Sequence, residues 1–452
     1  MACSGAFQHR VGKYLCLHNL QTQHGWKHQY VFGLIMGGLW IEPGASGLAV
    51  GSEAIIQSRA TSRIILILAA LTTFAPFATD MYLPSFPSIA HSLGCSVGQV
   101  QLSLSAFFLG LALGQLFYGP LIDRCGRRVP LLCGVLLFAA SSLALLLVHD
   151  IGSFVALRFV QAVGGCAGMV VSRAIIQDLF EPREAARALS LMMVIQGIGP
   201  IVAPVLGAYA IARAGWQAVF VFLFVLSMAC LLAACFGLPE SLPVQKRRRD
   251  SIARVFINFF ALIGRRDFIV PTVASSYAVS MMFAFISGSS FVFMTLYGAS
   301  TELYGWLFGL NAVCMTIASQ CNRVLLRRVS PQHLLLGAVL IAIVASGCAI
   351  FALHAESLPV LMVPLFLALA MGPIVGANGT AIAMAASGHH AGAASSLVGV
   401  LQFGFASVVS ALVGALHNGT AYPMLGTICV CSVLAGVALL IGGHRHHPGG
   451  SR

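Results

Sequence analysis

The chain has 452 residues, of which 58% are hydrophobic and only 8% are charged. Soluble globular proteins are about one-quarter charged, so this composition excludes an ordinary soluble protein and indicates one that crosses a membrane several times. The formal net charge is +12, but the basic residues lie between apolar runs and form no single patch, so no nucleic-acid partner is expected.

Twelve apolar runs follow residue 60, and each is long enough to supply the roughly 20 residues that a membrane-spanning helix needs. A chain surrounded by lipid must satisfy its backbone hydrogen bonds internally, so the runs predict α-helices. The runs lie near 63–88, 98–121, 129–148, 153–177, 188–212, 216–237, 268–296, 303–324, 332–353, 358–385, 391–416 and 421–442. The predicted fold class is therefore an all-α membrane protein with twelve transmembrane helices.

Basic residues concentrate in alternate connections between these runs. They are Arg59, Arg63, Arg124, Arg127, Arg128, Arg183, Arg187, Lys246 to Arg249, Arg265, Arg266, Arg323, Arg327, Arg328 and Arg445. The other connections hold essentially only Arg213. The positive-inside rule then predicts that both termini and the central loop lie in the cytoplasm.

The runs also divide the chain into candidate domains. Residues 1–60 are rich in His and Gln and are expected to form a poorly ordered extension, because their apolar piece at 30–41 is too short to span. Met36 as the true initiator is an open alternative. The other predicted ranges are a first six-helix bundle at 61–238, a cytoplasmic linker at 239–267, a second bundle at 268–444 and a cytoplasmic tail at 445–452.

No pattern in the sequence points to an enzyme, a metal or a cofactor. The thirteen cysteines are scattered without metal or disulfide spacing, as is typical of small buried side chains. The sequence contains neither a glycine-rich phosphate loop nor an ATPase motif. We therefore expect neither catalysis nor a primary pump.

The connection after the second run reads GPLIDRCGRRVPLL and combines glycines, one acid and three arginines. The glycines allow a tight turn at a helix end, and the acid lies among the arginines at the membrane boundary. The residues of interest are Gly119, Asp123, Arg124, Gly126, Arg127 and Arg128. A simple positive-inside anchor with one incidental acid is the alternative interpretation.

The fifth run contains QGIGPIVAPVLGAYA, in which glycines and prolines alternate. Prolines release backbone carbonyls and bend a helix, whereas glycines let neighbouring helices approach closely. The residues are Gly197, Gly199, Pro200, Pro204 and Gly207. An ordinary kinked packing face remains the alternative.

The loop with its Gly-x-x-x-Asp-Arg-x-Gly-Arg-Arg pattern resembles the signature loop of the major facilitator superfamily. That resemblance implies two pseudo-symmetric six-helix halves that rock about a central cavity, with the loop as a latch on the cytoplasmic side. Arg173 and Asp178, at the end of the fourth run, are expected to pair with this latch, although a solvated helix end is an equal alternative. The fifth run is similar to the motif that marks the antiporter branches of the superfamily.

Three further stretches resemble the bicyclomycin-resistance (Bcr/CflA) branch of drug:proton antiporters. They are ATDMYLPSFPSIA, RAIIQDLF and AGAASSLVGVLQFGFASVVSALVG. The resemblance implies a proton-coupled multidrug or small-molecule efflux antiporter in the bacterial cytoplasmic (inner) membrane. An exporter or facilitator of a native metabolite, such as an amino acid or dipeptide, is the alternative.

Asp80 is the one acid of the thirteen that falls inside a predicted span. Burial disfavours the charged form of a carboxylate, which suits a group that loads and unloads a proton. Arg158 in the fourth run is predicted at a similar depth, so the two side chains are expected to pair. A permanently satisfied salt bridge is the rival interpretation.

Polar and aromatic residues inside the spans are candidate substrate contacts. They are Tyr82, Gln161, Phe285, Phe291, Asn311, Asn378 and Gln402. Such a lining suits amphiphilic compounds that are neutral or weakly charged. The expected partners are therefore a small amphiphilic molecule, protons and the lipid bilayer, with the protein acting as a monomer.

Overall fold

The computed structural model describes residues 61–247, 252–388 and 391–443, and every regular element in these ranges is helical. The extension predicted at 1–60 and the tail predicted at 445–452 lie outside the described residues. The domain bounds inferred from the sequence remain predictions.

The first six helices follow the first six predicted runs. They are α1 (Thr61–Ser92), α2 (Val97–Cys125), α3 (Arg128–Leu147), α4 (Ile151–Leu179), α5 (Pro182–Ala214) and α6 (Gln217–Gly237). Helix α5 begins at Pro182 rather than near 188, because proline is favoured in the first turn, where its missing N–H has no intrahelical partner.

Seven helices follow in the second part of the chain. They are α7 (Ile252–Ile263), α8 (Arg266–Leu296), α9 (Thr301–Leu325), α10 (Pro331–Ala355), α11 (Leu358–Ala386), α12 (Ala391–Ala415) and α13 (Tyr422–Gly443). Helix α7 lies within the predicted linker, where no helix was expected.

Eleven of the described helices are long and apolar enough to cross a membrane by length and composition. Helix α9 is not among them, although its 25 residues match the predicted run near 303–324. Polar residues such as Asn311, Ser319 and Asn322 lower its hydropathy, and a helix that faces other helices rather than lipid tolerates them.

Helices α2 and α12 contact each other along their length. We call the end of the bundle that carries Gly126 and α7 the basic end, and the opposite end the far end. At the far end, a Cβ on Gly98 would lie 2.8 Å from the Gly414 carbonyl oxygen. Farther along, Ser105 and Ser407 each donate a hydroxyl hydrogen bond to the other's backbone carbonyl, at 2.8 and 2.9 Å.

Helices α5 and α9 approach each other in the half of the bundle toward the far end. A Cβ on Gly305 would lie 3.3 Å from the Pro204 carbonyl oxygen, and one on Gly309 would lie 3.4 Å from that of Ile201. Small residues at helix crossings permit such close backbone approach. The far end is therefore closed by contacts between the two parts of the chain.

Candidate functional site

A cavity of about 350 Å³ lies among α1, α2, α4, α5, α8, α9 and α12. Its volume falls in the range of pockets that hold small organic molecules. Its lining comprises Thr72, Ala75, Pro76, Thr79, Asp80, Phe108, Leu111, Met169, Gln196, Gly197, Pro200, Met282, Phe283, Ile286, Ala312, Met315, Thr316, Ser319 and Phe403. Among these residues, Asp80 alone has an ionisable side chain.

Asp80 lies where α1 changes from α-helix to a tighter turn. The α-helical part Phe74–Asp80 is followed by a 3₁₀-helix at Leu83–Ser85 and a further α-helical part at Phe86–Ser92. Pro84 has no N–H, so it cannot donate the helical hydrogen bond to the Asp80 carbonyl. The sequence therefore breaks α1 at the residue that carries the acid.

The Asp80 side chain is buried, and its Oδ1 accepts no hydrogen bond from any described residue. A buried polar atom without a partner costs free energy, and native structures usually pair such atoms. Since packing alone gives no reason to retain such a group, an acid of this kind beside a cavity indicates a functional position.

Arg158 does not pair with Asp80, contrary to expectation. Its Nη2 donates to the Ala78 carbonyl oxygen at 2.7 Å, and its guanidinium lies 4.3 Å from the ring centroids of both Tyr82 and Phe107. Successive helical residues are about 100° apart, so Ala78 and Asp80 face nearly opposite directions. Depth along the helix was predicted, but the direction of each side chain was not.

Gln161 belongs to the Arg158 network rather than to the cavity. Its Oε1 accepts a hydrogen bond from Arg158, and its Nε2 donates to the Ser142 hydroxyl at 2.7 Å. Ser142 in turn donates to the Phe138 carbonyl at 2.7 Å. These bonds satisfy the amide inside the first six helices, so it does not line the cavity.

The other predicted amide contacts also lie outside the cavity lining. Asn378 is buried and donates to Asn322 Oδ1 at 2.8 Å, whereas Gln402 Nε2 lies 3.5 Å from the Thr380 hydroxyl. Asn311 is nearer the cavity. Its Nδ2 lies 3.7 Å from the sulfur of Met315, and Met315 lines the cavity. Amides inside a bundle find partners on neighbouring helices, which turns them away from open space.

The predicted aromatic contacts are packed against other rings. The Tyr82 hydroxyl lies 3.1 Å from the Ser103 hydroxyl. Phe285 stacks on Phe308 with ring centroids 5.4 Å apart, and Phe291 packs edge-on against His417 at 4.3 Å. None of the seven predicted cavity residues is therefore in the lining of this cavity.

Two residues of the predicted antiporter helix, Gly197 and Pro200, do line the cavity. Two others bring α5 against α1: a Cβ on Gly199 would lie 3.2 Å from Pro76, and one on Gly207 would overlap the carbonyl of Met81. The glycines thus hold α5 against the broken segment of α1 that carries Asp80.

The predicted latch residues form a compact ion-pair network at the basic end. Arg127 Nη1 donates to Asp123 Oδ1 at 2.6 Å, and its Nε donates to Asp178 Oδ2 at 2.9 Å. Arg128 Nη2 donates to the Cys235 carbonyl at 2.6 Å. The structure therefore brings Asp178 to the loop, as the sequence predicts.

The remaining latch residues are placed differently. Gly119 lies on the contact with α12, where a Cβ would be 3.6 Å from the Ser396 hydroxyl. Arg124 and Arg173 are exposed and form no ion pair with the described residues. Arg173 therefore does not join the network in this conformation.

Glu240, which the sequence did not single out, holds the turn of the latch. Its Oε1 accepts from the Arg127 backbone N–H at 2.8 Å, and its Oε2 accepts from that of Arg128 at 3.3 Å. Gly126 has a φ of 91°, and a Cβ there would lie 2.5 Å from Glu240 Oε2. The turn therefore requires glycine and places two N–H groups on the acid.

Partial burial acts to raise the pKa of Glu240, but the backbone N–H groups of Arg127, Leu242 and Arg128 and the charge of Arg247 outweigh it. The net effect lowers the pKa below its ordinary value of 4.5. A lowered pKa means that the contribution to stability is present at neutral pH and is lost as the pH falls through the folded-state pKa.

Glu240→Gln is expected to lower the free energy of unfolding by about 1–3 kcal/mol at pH 7, because charge-assisted hydrogen bonds are lost. The difference from the parent should shrink as the pH falls below about 4.5, the ordinary pKa. Thermal melting of the purified protein at several pH values measures both effects. Glu184→Gln, at an exposed acid in the first turn of α5, is the matched control and should change little. Equal melting of the Glu240 variant and the parent at pH 7 would contradict this role.

The sequence also gave no signal for most of the cavity lining. Met169, Met282 and Met315 line it together with Phe108, Phe283 and Phe403. Phe108 and Phe283 have ring centroids 4.4 Å apart, and Phe403 lies 6.0 Å from Phe283. Apolar residues of this kind are indistinguishable in sequence from those that face lipid.

Comparison with known proteins agrees with this architecture. A sequence profile of the Major Facilitator Superfamily matches residues 68–411. A bicyclomycin resistance protein homolog of Haemophilus influenzae is 34% identical over 390 residues, covering 84% of this chain and 96% of that protein. The multidrug resistance protein MdtL of Shigella dysenteriae is 28% identical over 376 residues, covering 83% of this chain and 94% of that protein.

Solved structures share the fold at low sequence identity. A D-xylose-proton symporter has a TM-score of 0.67 at 15% identity, covering 84% of this chain and 97% of that one. A bacterial homolog of the lysosomal transporter Spinster, inward-facing and occupied, has a TM-score of 0.66 at 15% identity, covering 86% and 97%. The prediction of a twelve-helix transporter fold without enzymatic activity is thus confirmed. The chain belongs to the major facilitator superfamily and, within it, to the bicyclomycin-resistance (Bcr/CflA) family.

Proposed function

We propose that this protein is a proton-coupled efflux antiporter that exports amphiphilic small molecules across the bacterial inner membrane. The observation that carries the proposal is the Asp80 carboxylate, which is buried beside the cavity with one oxygen unpartnered. A fixed ion pair would be structural, whereas an acid without a cation is free to exchange a proton. The names of the relatives, bicyclomycin resistance and multidrug resistance, support drug-like compounds as cargo.

The distribution of charge supports export from the cytoplasm. The positive-inside rule assigns the basic end to the cytoplasm. In this structure α5 meets α9 toward the far end, whereas α2 contacts α12 along its length. Gly197 and Ser319, which lie on the basic-end side of the contact between α5 and α9, are exposed and line the cavity. This conformation therefore suits the loading of a compound from the cytoplasm.

Asp80 links this loading to proton movement. A compound enters from the cytoplasm while the carboxylate is charged, and the two halves then rock so that the cavity faces outward. A proton from the exterior neutralises Asp80 as the compound leaves. Burying the neutral acid in the closed state costs less free energy than burying the charged carboxylate. The acid releases its proton when the cavity faces inward again.

The ion-pair network explains how the basic end is free to open. All members of the network lie within the first six helices and the segments next to them. Asp123 is in α2 and Asp178 is in α4, whereas Arg127 follows α2 and Glu240 follows α6. Within the described part of the chain, no ion pair joins this network to α8–α13. In the outward-facing state we expect the same loop to contact the basic end of the second half and so close that side.

Phe283 is expected to be a direct substrate contact, because it lies in the cavity lining and contacts both Phe108 and Phe403. Phe283→Ala should weaken substrate binding by roughly fivefold to tenfold, since an aromatic contact is worth about 1 kcal/mol beyond its buried area. Phe285→Ala is the matched control: this ring is packed against Phe308 outside the cavity, so its loss should cost stability by about 3–5 kcal/mol instead. Binding titrations and melting curves of both variants separate the two effects. Equal binding losses would contradict the assignment.

Transport by purified protein in liposomes tests the proposed function as a whole. When the solution that faces the far end is the more acidic one, a neutral antibiotic should move uphill from the basic-end side to the far-end side. Collapse of the pH gradient should abolish this uphill movement. Uptake with the gradient would make the protein a symporter. Failure to move drugs, combined with gradient-driven export of an amino acid or dipeptide, would identify a metabolite exporter.

A further inference from the structure

Helix α7 is apolar on two faces, of which one is buried and the other is exposed. On the inner face, Phe259 is 5% exposed and Leu262 is fully buried. On the outer face, Ile257, Phe260 and Ile263 are 65%, 72% and 44% exposed. These three positions are three residues apart and therefore form one stripe along the helix. Arg254 and Asn258 are four residues apart and make one side of the helix polar, so α7 is amphipathic, and an exposed apolar stripe beside such a polar side is normally covered.

The inner face fixes where the helix lies. Phe259 and Leu262 form a cluster with Phe268 of α8 and with Ala394 and Val398 of α12. These residues belong to the first turns of α8 and α12 at the basic end. Helix α7 therefore packs beside the bundle at the level where these membrane spans begin, which is the level of lipid headgroups.

Two arginines adjoin the exposed stripe. Arg265 and Arg266, directly after α7, are exposed and form no ion pair with the described residues. Asp267 follows them in the first turn of α8, so the local charge is positive but not uniform. An apolar stripe with adjacent arginines is the pattern of helices that lie in the membrane surface, with arginines at the phosphates and aromatic rings at the acyl boundary.

We propose that α7 docks on the lipid leaflet at the basic end and that this site selects anionic phospholipid. The stripe of Ile257, Phe260 and Ile263 enters the boundary between headgroups and acyl chains. Arg265 and Arg266 bind lipid phosphates, each favouring anionic over zwitterionic lipid by about fivefold. Docking also anchors the start of α8.

Fluorescence of Phe260→Trp in the full-length protein tests whether the stripe meets lipid. The variant is reconstituted in liposomes whose acyl chains are brominated near the headgroup, and the signal of the native tryptophans, measured on the parent, is subtracted. We expect the added signal to fall at least twofold. Phe259→Trp, on the buried face of the same helix, is the matched control and should be quenched much less. Quenching of Trp at 260 by aqueous iodide but not by bromolipid would overturn the docking.

A second measurement tests the choice of lipid. In Phe260→Trp, energy transfer to dansyl-labelled phosphatidylglycerol should exceed transfer to dansyl-labelled phosphatidylcholine. Arg265→Gln with Arg266→Gln should reduce this preference at least fivefold, without change in bromolipid quenching. Arg213→Gln, an exposed arginine at the far end, should leave it unchanged. A preference that survives the double substitution would overturn the anionic site.

Discussion

Asp80→Asn is expected to abolish transport driven by a proton gradient while leaving substrate binding intact. Asparagine keeps the size of the side chain but cannot take up a proton at neutral pH. Loss of a positioned proton-transfer group commonly costs a factor of roughly 10²–10⁴, so gradient-driven export should fall at least about 100-fold. Initial rates in liposomes with and without a pH gradient measure this loss. Downhill exchange of labelled for unlabelled substrate should continue.

Asp150→Asn provides the control for the loss of a negative charge. Asp150 Oδ1 caps α4 by accepting from the Ser153 backbone N–H at 2.8 Å, and asparagine also serves as an N-cap. This variant should retain gradient-driven transport. If Asp80→Asn transported with the same dependence on the gradient as the parent, Asp80 could not be the proton carrier, and the role of the unpartnered acid would have to be sought in folding.

Arg158→Met is expected to destabilise the protein, because Arg158 holds α1 in place rather than neutralising Asp80. The substitution removes the partner of the Ala78 carbonyl and of Gln161, both inside the first six helices. Breaking a buried charged network typically costs about 3–5 kcal/mol. The melting temperature in detergent should fall markedly, and transport should fall with the population of folded protein.

Arg213→Met is a suitable control for this loss, since its guanidinium stacks on Tyr209 at 3.5 Å at an exposed position. An exposed cation–aromatic contact is worth only about 0.5–1 kcal/mol. A variant at position 158 that melts like the parent but has lost its response to the pH gradient would assign Arg158 to proton coupling. It would exclude the positioning role.

The architecture could be predicted from the sequence because hydrophobic length is a direct consequence of the bilayer. Every predicted run after residue 60 contains a helix in the described part of the chain. Two differences between the predicted and the observed helices arise from local sequence signals that the prediction did not use. Pro182 starts α5 early, and α7 alternates buried and exposed apolar residues over a length too short to span.

The candidate site was predictable where a residue is chemically unusual and not where it is ordinary. Asp80 stood out as a lone acid, and Gly126 and Arg127 stood out as part of a dense charged motif. Gln161 and Asn378 were predicted to face a ligand but bond to neighbouring helices, because sequence does not show which partner satisfies a buried amide. Met282 and Phe283 carry no sequence signal, since lipid and cavity favour the same side chains.

Glu240 could not be predicted as a latch residue because of its distance along the chain from the latch loop. It lies far from the loop it stabilises, and only the arrangement of α2 and α6 brings its carboxylate to the backbone of Arg127. In the sequence, an acid that follows an apolar helix indicates only a helix end exposed to solvent. Its function follows from the left-handed turn at Gly126, which points two N–H groups toward it.

The contact between α2 and α12 has a consequence for how the protein responds to salt. Toward the far end, the contact consists of glycine backbone and the hydroxyl–carbonyl bonds of Ser105 and Ser407, and none of these groups is charged. The basic end, by contrast, depends on ion pairs, and dissolved ions screen charges over about 8 Å at physiological ionic strength. Concentrated salt should therefore weaken the ion pairs that order the loop at the basic end and leave the uncharged contact at the far end unaffected, so that the ionic medium on each side of the membrane acts differently on the cycle.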